Sequence, residues 1–269
     1  IEDETSYKNG FSYNKKNNKR IAALIPVHVY GNAVFLDNII KLCKERNISI
    51  VEDAAESIGT VYSKGRYSGK HTGTIGQLGC LSFNGNKIIT AGGGGMIITN
   101  DQALAERAHY LTKQAKDDPI NFIHNEIGYN FRLTNIQAAL GVAQLEQLPK
   151  FLERKRELFS QYKNDLNHSR GLKLADVPDY SNNNHWINLL QIDRKIYGKE
   201  LHEIMHCLKE DKIQTRPVWL PNHMQKLYLD NQTYKIERAK KLANNTLCLP
   251  SSTNLTDEDL NRIIVKLNG

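Results

Sequence analysis

The sequence predicts an α/β protein whose larger part is built on a mostly parallel sheet and whose C-terminal part is a smaller α+β unit. A branched apolar run from Ile21 to Tyr30 is followed by apolar residues at helical spacing over about 34–46 and by a buried strand from Ile48 to Val51. This strand–helix–strand order implies a right-handed crossover between parallel strands. After Gly171 the pattern changes to short strands and helices without this order, which is typical of a separate α+β unit.

Two further strands and a helix continue the larger part. Gly79 to Phe83 and Gly95 to Thr99 are predicted as neighbouring strands, and a helix is predicted over 101–115. We therefore expect a larger domain over residues 1–165 and a smaller one over residues 166–269.

Composition narrows the class of protein. The chain has 269 residues, of which 40% are hydrophobic and 24% charged, as in ordinary globular proteins. No apolar run approaches the ~20 residues of a membrane helix, and nothing at the N-terminus resembles a secretory signal. The four cysteines are too far apart for a zinc or redox motif. We expect a cytoplasmic protein that has no metal site and no membrane partner.

The net charge of +7 has two explanations. A basic nucleic-acid binder is one, but no DNA- or RNA-binding motif accompanies the charge. We favour a solvated surface that helps to attract an anionic small substrate, and expect no nucleic-acid partner.

One segment carries the strongest chemical signal. Lys87 follows a strand-like run, stands five residues after Ser82 and precedes four consecutive glycines, Gly92–Gly95. A lysine in this place can attack a carbonyl carbon once it loses its proton, and a serine at this distance can hold a phosphate. The pattern indicates a site for a phosphorylated aldehyde cofactor such as pyridoxal 5'-phosphate (PLP). An exposed surface lysine is the alternative.

The glycine run itself has another interpretation, a nucleotide-binding loop. Such a loop needs a helix after its glycines, whereas the strand-like Met96-Ile97-Ile98-Thr99 follows here. We therefore predict a tight turn beside Lys87.

A second segment complements Lys87. Asp53 comes directly after a buried strand and fits as a helix cap, a metal ligand or a cofactor partner. PLP needs an acid beside its pyridine nitrogen, because a protonated ring is the better electron sink. Ala54 and Ala55 are small enough for a flat ring to lie against the strand, and Glu56 is placed to reach the phenolic oxygen of the ring.

These segments, together with Gly128 to Ala139, resemble the DegT/DnrJ/EryC1/StrS family of sugar aminotransferases. Those proteins are fold-type I, PLP-dependent enzymes of the aspartate aminotransferase superfamily. The likeness runs from about Ile21 to the C-terminus and includes Ile25–Gly31, Thr215–Trp219 and Leu247–Pro250. The central motifs look most like the branch that makes 4-amino-4,6-dideoxy-N-acetylhexosamine nucleotides, as in legionaminic acid synthesis.

The resemblance implies a role for each candidate residue. Lys87 would bond covalently to the cofactor and then carry the proton, and Asp53 would pair with the pyridine nitrogen. Glu56 stands where many members have glutamine or histidine at the ring hydroxyl, and Ser82 would bind the phosphate. Asn130 matches an asparagine that reaches the cofactor phosphate of the neighbouring subunit, which implies a homodimer with shared active sites.

The resemblance also implies the substrates. The amino group would pass from glutamate to a nucleotide-linked keto sugar, a UDP-4-keto-6-deoxy-N-acetylhexosamine, in surface polysaccharide biosynthesis. Arg216 and His223 would shape the substrate side, although a structural strand end is an equal explanation for Arg216. His28 and His185 are interpreted as packed structural residues.

Two alternatives stay open. A related dehydratase would carry histidine in place of Lys87, which argues against that activity. An inactive or interaction-only protein with the same fold is the second alternative, because the N-terminal helices and phosphate-binding turn of the family are expected to be absent before Ile21.

Overall fold

The structure is a computed structural model that describes residues 1–166 and 168–268. In chain order the strands are β1 (Thr5–Lys8), β2 (Phe11–Asn14), β3 (Ala23–Leu24), β4 (Ser49–Asp53), β5 (Val61–Tyr62), β6 (Leu78–Ser82), β7 (Gly95–Ile98), β8 (Leu172–Leu174), β9 (Ser181–Asn182), β10 (Leu189–Ile192), β11 (Arg216–Pro217) and β12 (Thr246–Cys248). The helices are α1 (Asp37–Glu45), α2 (Gln102–Thr112), α3 (Asn135–Glu146), α4 (Leu148–Leu166), α5 (Arg194–Tyr197), α6 (Leu201–Glu210), α7 (Glu237–Asn245) and α8 (Asp257–Asn268). Within the described residues, no helix combines the length and the apolar character that crossing a membrane requires.

The chain forms two compact units. The first contains residues 1–150 and 177–184, and the second contains residues 151–176 and 185–269. The boundary predicted from the sequence, between residues 165 and 166, falls within α4. The units divide earlier because Leu158, Tyr162 and Leu166 of α4 belong to the buried core of the second unit.

A four-stranded sheet forms the framework of the first unit, in the order β3-β4-β6-β7. β4 is parallel to both β3 and β6, whereas β7 is antiparallel to β6. Helix α1 connects β3 to β4 and packs its buried Cys43 against Ile48 and Ile50. This arrangement confirms the predicted strand–helix–strand order and the mostly parallel sheet.

The predicted strand from Ile21 to Tyr30 is wrong beyond its first part. The strand ends at Leu24, and only Val27 makes a further bridge to Asp53. Pro26 has no N–H to continue the ladder, and Val29–Gly31 form a 3-10 turn in which Tyr30 has φ 54°. The chain therefore turns away at the edge where β4 ends.

The hairpin of β6 and β7 confirms the other two predicted strands. Gly95 lies opposite Ser82 in the register. A Cβ atom on Gly95 would lie 2.4 Å from the carbonyl oxygen of Leu81, which no side chain tolerates. Glycine is required there because the two strand backbones approach so closely.

An antiparallel sheet, in the order β11-β12-β10-β8, forms the framework of the second unit. Its core combines side chains of that sheet with side chains of α4, α6 and α8, all at most 1% exposed: Leu158, Leu190, Leu208, Leu247 and Leu260. The predicted α+β character of this unit is confirmed.

Lys155 is a buried charge within this second unit. Its side chain is only 5% exposed, and Nζ donates hydrogen bonds to the backbone carbonyl oxygens of Trp186 (2.8 Å) and Ser251. Burial lowers the pKa of Lys155 to about 8. The lysine thus links α4 to two irregular segments, and its charge is destabilised by removal from water.

This burial predicts a pH dependence of stability. Because the folded pKa is about 8 and the ordinary value is 10.5, the unfolded chain binds more protons between these values, and stability rises with pH there. The unfolding free energy of the wild type relative to Lys155→Met should therefore increase by on the order of 3 kcal/mol across this range. Urea unfolding of both proteins at pH 7.5 to 10.5 measures it. A pH-independent difference would contradict the prediction.

Candidate active site

Asp53 stands at the carboxyl end of β4, the strand between β3 and β6. Its Oδ1 accepts a hydrogen bond from the Ala55 backbone N–H at 3.1 Å. Asp53 is in register with Cys80 on β6, so Ser82 follows two positions further along the parallel neighbour. Ligands gather at the carboxyl ends of parallel strands. Asp53 and Ser82 are the last residues of two such neighbouring strands, β4 and β6.

Lys87 lies in the turn that follows β6. Its backbone N–H donates to the carbonyl oxygen of Asn84 at 3.0 Å, and its Nζ lies 3.8 Å from Oε1 of Glu56. The side chains of Lys87 and Glu56 are only 12% and 15% exposed. Lys87 is therefore not an exposed surface lysine, and it has a carboxylate beside its amine.

Glu56 connects this pair to the neighbouring elements. Its Oε2 accepts a hydrogen bond from the backbone N–H of Tyr30 at 2.7 Å. Burial raises the pKa of Glu56, the hydrogen bond from Tyr30 and the charge of Lys87 oppose this, and the charge of Asp53 raises the pKa further. The structure thus brings Asp53, Glu56 and Lys87 together in one electrostatic environment.

The glycine run forms the turn that leads into β7. The backbone N–H of Phe83 donates to the carbonyl oxygen of Gly94 at 3.0 Å, and Ser82 Oγ accepts from the backbone N–H of Asn84 at 3.3 Å. The observed strand β7 confirms that no helix follows the glycines. A nucleotide-binding loop is therefore excluded, and Ser82 stays beside the turn of Lys87.

Asn130 lies elsewhere in the first unit. It forms an antiparallel bridge with Lys113 and lines an open groove of about 950 Å³ together with Gly94, Gly95 and Gln137. The lining of this groove does not include Lys87, Asp53 or Glu56. Within the single chain, Asn130 is thus not gathered with the other predicted residues.

Arg216 and His223 belong to the second unit. Arg216 is exposed on β11, in register with Cys248, and lines a cavity of about 570 Å³ with His202 and His206. His223 lies in a 3-10 turn at Asn222–Met224. Their substrate role stays a prediction.

The sequence analysis missed one buried pair. Glu52 and His28 are both fully buried and lie 2.9 Å apart, from Oε2 to Nε2. Burial disfavours the charged carboxylate, but hydrogen bonds from His28 and from backbone N–H groups of residues 73–76 outweigh this and hold the pKa of Glu52 below its ordinary value. A glutamate inside a buried strand, directly before Asp53, was the signal available in the sequence.

The donor set of the first unit fits PLP. Lys87 offers a primary amine for the aldehyde, Asp53 offers a carboxylate for the pyridine nitrogen, and Ser82 offers a hydroxyl for the phosphate. By contrast, across the described residues no group of three or more His, Cys, Asp or Glu side chains is arranged to hold a metal ion.

Two solved structures illustrate the similarity of this fold to known proteins. An aminotransferase TlmJ from Streptoalloteichus hindustanus has a TM-score of 0.83 at 27% identity and covers 92% of this chain and 65% of its own. DesI, determined in the presence of its TDP-sugar product, has a TM-score of 0.84 at 27% identity and covers 93% of this chain and 62% of its own. The fold is that of the fold-type I PLP-dependent transferases.

Residues 13–268 match the DegT/DnrJ/EryC1/StrS aminotransferase family, and the chain belongs to this family. The putative pyridoxal phosphate-dependent aminotransferase EpsN of Bacillus subtilis (strain 168) is 40% identical over 256 residues, which cover 93% of this chain and 63% of EpsN. GDP-perosamine synthase of Escherichia coli O157:H7 is 35% identical over 258 residues, which cover 94% of this chain and 67% of that protein. The chain thus spans about two thirds or less of these relatives.

The buried carboxylate predicts how acid affects the fold. A carboxyl group whose pKa is lowered on folding contributes stability that is present above its ordinary value, 4.5 for Glu52, and is lost as the pH falls through the folded value. We expect Glu52→Gln to cost about 3 kcal/mol at pH 7 and the deficit to shrink below pH 4.5. Thermal melts without cofactor from pH 7 to pH 3.5 measure this.

Glu56→Gln is the matched control for this experiment. The pKa of Glu56 is raised, so the wild type gains stability relative to that variant as the pH falls toward 4.5. Parallel trends in the two variants would contradict the assignment of opposite pKa shifts.

Proposed function

We propose that this protein is a PLP-dependent aminotransferase that transfers an amino group to a nucleotide-linked keto sugar. The observation that carries the proposal is the largely buried amine of Lys87, which lies 3.8 Å from Oε1 of Glu56. The pair is in the electrostatic environment of Asp53, the last residue of β4. Membership of the family and the names of its relatives support the same activity. The alternative of an inactive protein gains no support from these relatives.

Different residues of the first unit would bind different parts of PLP. Lys87 would bond to the aldehyde carbon, and the carboxylate of Asp53, oriented by the Ala55 N–H, would face the pyridine nitrogen. Ser82 and the N–H groups of the glycine turn would bind the phosphate. Ala55 leaves room for the flat ring. When bound, PLP supplies the carbon that receives the amino group and an electron sink for the electrons released there.

Lys87 would act as both acid and base in the two half-reactions. Its Nζ takes a proton from the carbon that bears the amino group of the donor, and in the second half-reaction it returns a proton to the carbon of the sugar. Asp53 would stabilise positive charge on the pyridine nitrogen of the bound cofactor. Glu56, whose pKa is raised by burial, stands beside the amine, with its Oε1 3.8 Å from Nζ.

Substitution of Lys87 tests this assignment. We expect Lys87→Ala to lose the visible absorbance that PLP acquires on the wild type and to lose aminotransfer by roughly a thousandfold or more. Lys64→Ala is the control, because Lys64 is 61% exposed and pairs with Asp179 at the surface. Absorbance spectra and turnover measure both effects. Full activity in Lys87→Ala would overturn the mechanism.

The finer proposal concerns the substrates. We propose L-glutamate as the donor and a UDP-4-keto-6-deoxy-N-acetylhexosamine as the acceptor, in the synthesis of a surface polysaccharide. The name GDP-perosamine synthase, carried by a relative at 35% identity, makes a GDP-linked keto sugar the competitor. Incubation with each nucleotide keto sugar, followed by mass spectrometry of the aminated product, separates them. A strong preference for the GDP-linked sugar would overturn the UDP proposal.

We also propose that the protein works as a homodimer with shared active sites. Helix α3 has no buried residue in the single chain, and its apolar side chains Ile136, Leu140, Val142 and Leu145 are 44–85% exposed. Exposed apolar surface of this kind marks an interaction site. Asn130 lies in the groove beside the same helix, so a partner seated on this face would bring its own cofactor close to Asn130.

Mixing two variants tests the sharing of sites. Lys87→Ala and Asn130→Asp should each be impaired, but dimers re-formed from an equal mixture should recover about one quarter of wild-type activity, because half are hybrids with one intact site each. If Asn130 served the cofactor of its own chain, no hybrid would contain an intact site. Turnover of the mixture, compared with the unmixed variants, decides between the two outcomes.

A further inference from the structure

Both carboxylate oxygens of Glu52 accept hydrogen bonds. It is fully buried on β4, and successive strand residues point to opposite faces, so it projects away from the face of Asp53. Three backbone N–H groups of residues 73–76 donate to it at 2.6–2.9 Å, and Nε2 of His28 lies 2.9 Å from its Oε2. The carboxylate thus binds the segment that precedes β6. Through His28 it also binds the turn formed by residues 28–34.

His28 connects Glu52 to the turn formed by residues 28–34. Its Nδ1 accepts a hydrogen bond from the backbone N–H of Val34 at 3.1 Å. A neutral imidazole has one donor and one acceptor nitrogen, so acceptance at Nδ1 requires the proton on Nε2, where Glu52 accepts it. Only one tautomer satisfies both neighbours, and the direction of the hydrogen bonds is fixed.

The turn itself is held in an unfavourable backbone conformation. Tyr30 has φ 54° and ψ 28°, a left-handed region that non-glycine residues enter only when the surrounding structure enforces it. In this conformation its N–H donates to Oε2 of Glu56 at 2.7 Å, and Oε1 of Glu56 lies 3.8 Å from Nζ of Lys87. The position of Glu56 beside Lys87 therefore depends on the turn.

We propose that Glu52 and His28 are positioning residues, which hold the 28–34 turn so that the Tyr30 N–H keeps Glu56 beside Lys87. Glu52 orients His28, and His28 holds the turn through Val34. The turn orients Glu56 through the Tyr30 N–H, and Glu56 lies beside the Lys87 amine. The inference rests on the proposed function, because Glu56 and Lys87 matter only if the cofactor binds there.

Hydrogen–deuterium exchange without cofactor tests the first part of this chain. In Glu52→Gln an N–H₂ group replaces one of the two acceptor oxygens, so either His28 or the backbone N–H groups of residues 75 and 76 lose their acceptor. In His28→Gln the side-chain amide can still donate to Glu52, but its oxygen and nitrogen share one carbon, so the oxygen does not replace the ring Nδ1 that accepts from Val34. We expect amides 29–34 to exchange about tenfold faster in each variant.

Ile50→Ala is the matched control for this exchange experiment. Ile50 is buried on the same strand and the same face as Glu52, so its truncation destabilises the unit without touching the turn. Its effect should be spread over the unit rather than concentrated at 29–34. If Glu52→Gln does not fold, His28→Gln carries the same test. Unchanged relative exchange of 29–34 in the folded variants overturns the proposal.

A double-mutant cycle on cofactor affinity tests the second part. We expect Glu52→Gln to raise the Kd for PLP about tenfold in the wild-type background and less than about twofold when Glu56→Ala is already present. A merely structural role for Glu52 would give equal factors in both backgrounds, and that result overturns the proposal. Absorbance titration with PLP measures all four proteins, and His28→Gln is run in the same cycle.

The two proposals fail in different ways. A wild type that binds no PLP overturns the proposed function, and with it the positioning role, whatever the exchange data show. A wild type that binds PLP, combined with additive effects of Glu52→Gln and Glu56→Ala, overturns the positioning role alone.

Discussion

A buried strand that ends in two consecutive carboxylates is the constraint on which the first unit depends. Removing a carboxylate from water without compensation costs far more than a fold can tolerate. Glu52 is compensated by backbone N–H groups of residues 73–76 and by His28. Asp53 instead stays half-buried at the sheet edge, where the Ala55 N–H reaches it. One residue thereby becomes part of the framework, while its neighbour remains available for a ligand.

This division explains how separate segments meet at one place. The parallel pairing of β4 with β6 sets Asp53 opposite Cys80. The turn that follows β6 contains Lys87 and places its amine 3.8 Å from Oε1 of Glu56. The early end of β3 frees the chain to form the turn at Tyr30. The candidate site is therefore a product of strand register, because no local motif contains all of its parts.

Sequence patterns predicted the framework well and its polar connections poorly. The crossover, the hairpin after Ser82 and the turn at the glycines follow from apolar periodicity and from glycine, which are local signals. The proposed roles of Lys87 and Asp53 came from residue chemistry and from the resemblance. The run from Ile21 to Tyr30 looked like one strand, because its apolar pattern does not reveal a left-handed residue at Tyr30. The partnership of Glu52 with His28 depends on tertiary contacts, and periodicity contains no information about these.

Glu56 shows how environment changes what a residue type means. A charged carboxylate would differ sharply from the glutamine or histidine that many family members are expected to have there. Burial and the charge of Asp53 raise its pKa, whereas the hydrogen bond from Tyr30 and the charge of Lys87 lower it. The Tyr30 N–H donates to Oε2, and Oε1 faces the Lys87 amine at 3.8 Å. Glutamate thus offers an acceptor oxygen to each of these two donors, whereas an amide would have to turn its N–H₂ group toward one of them.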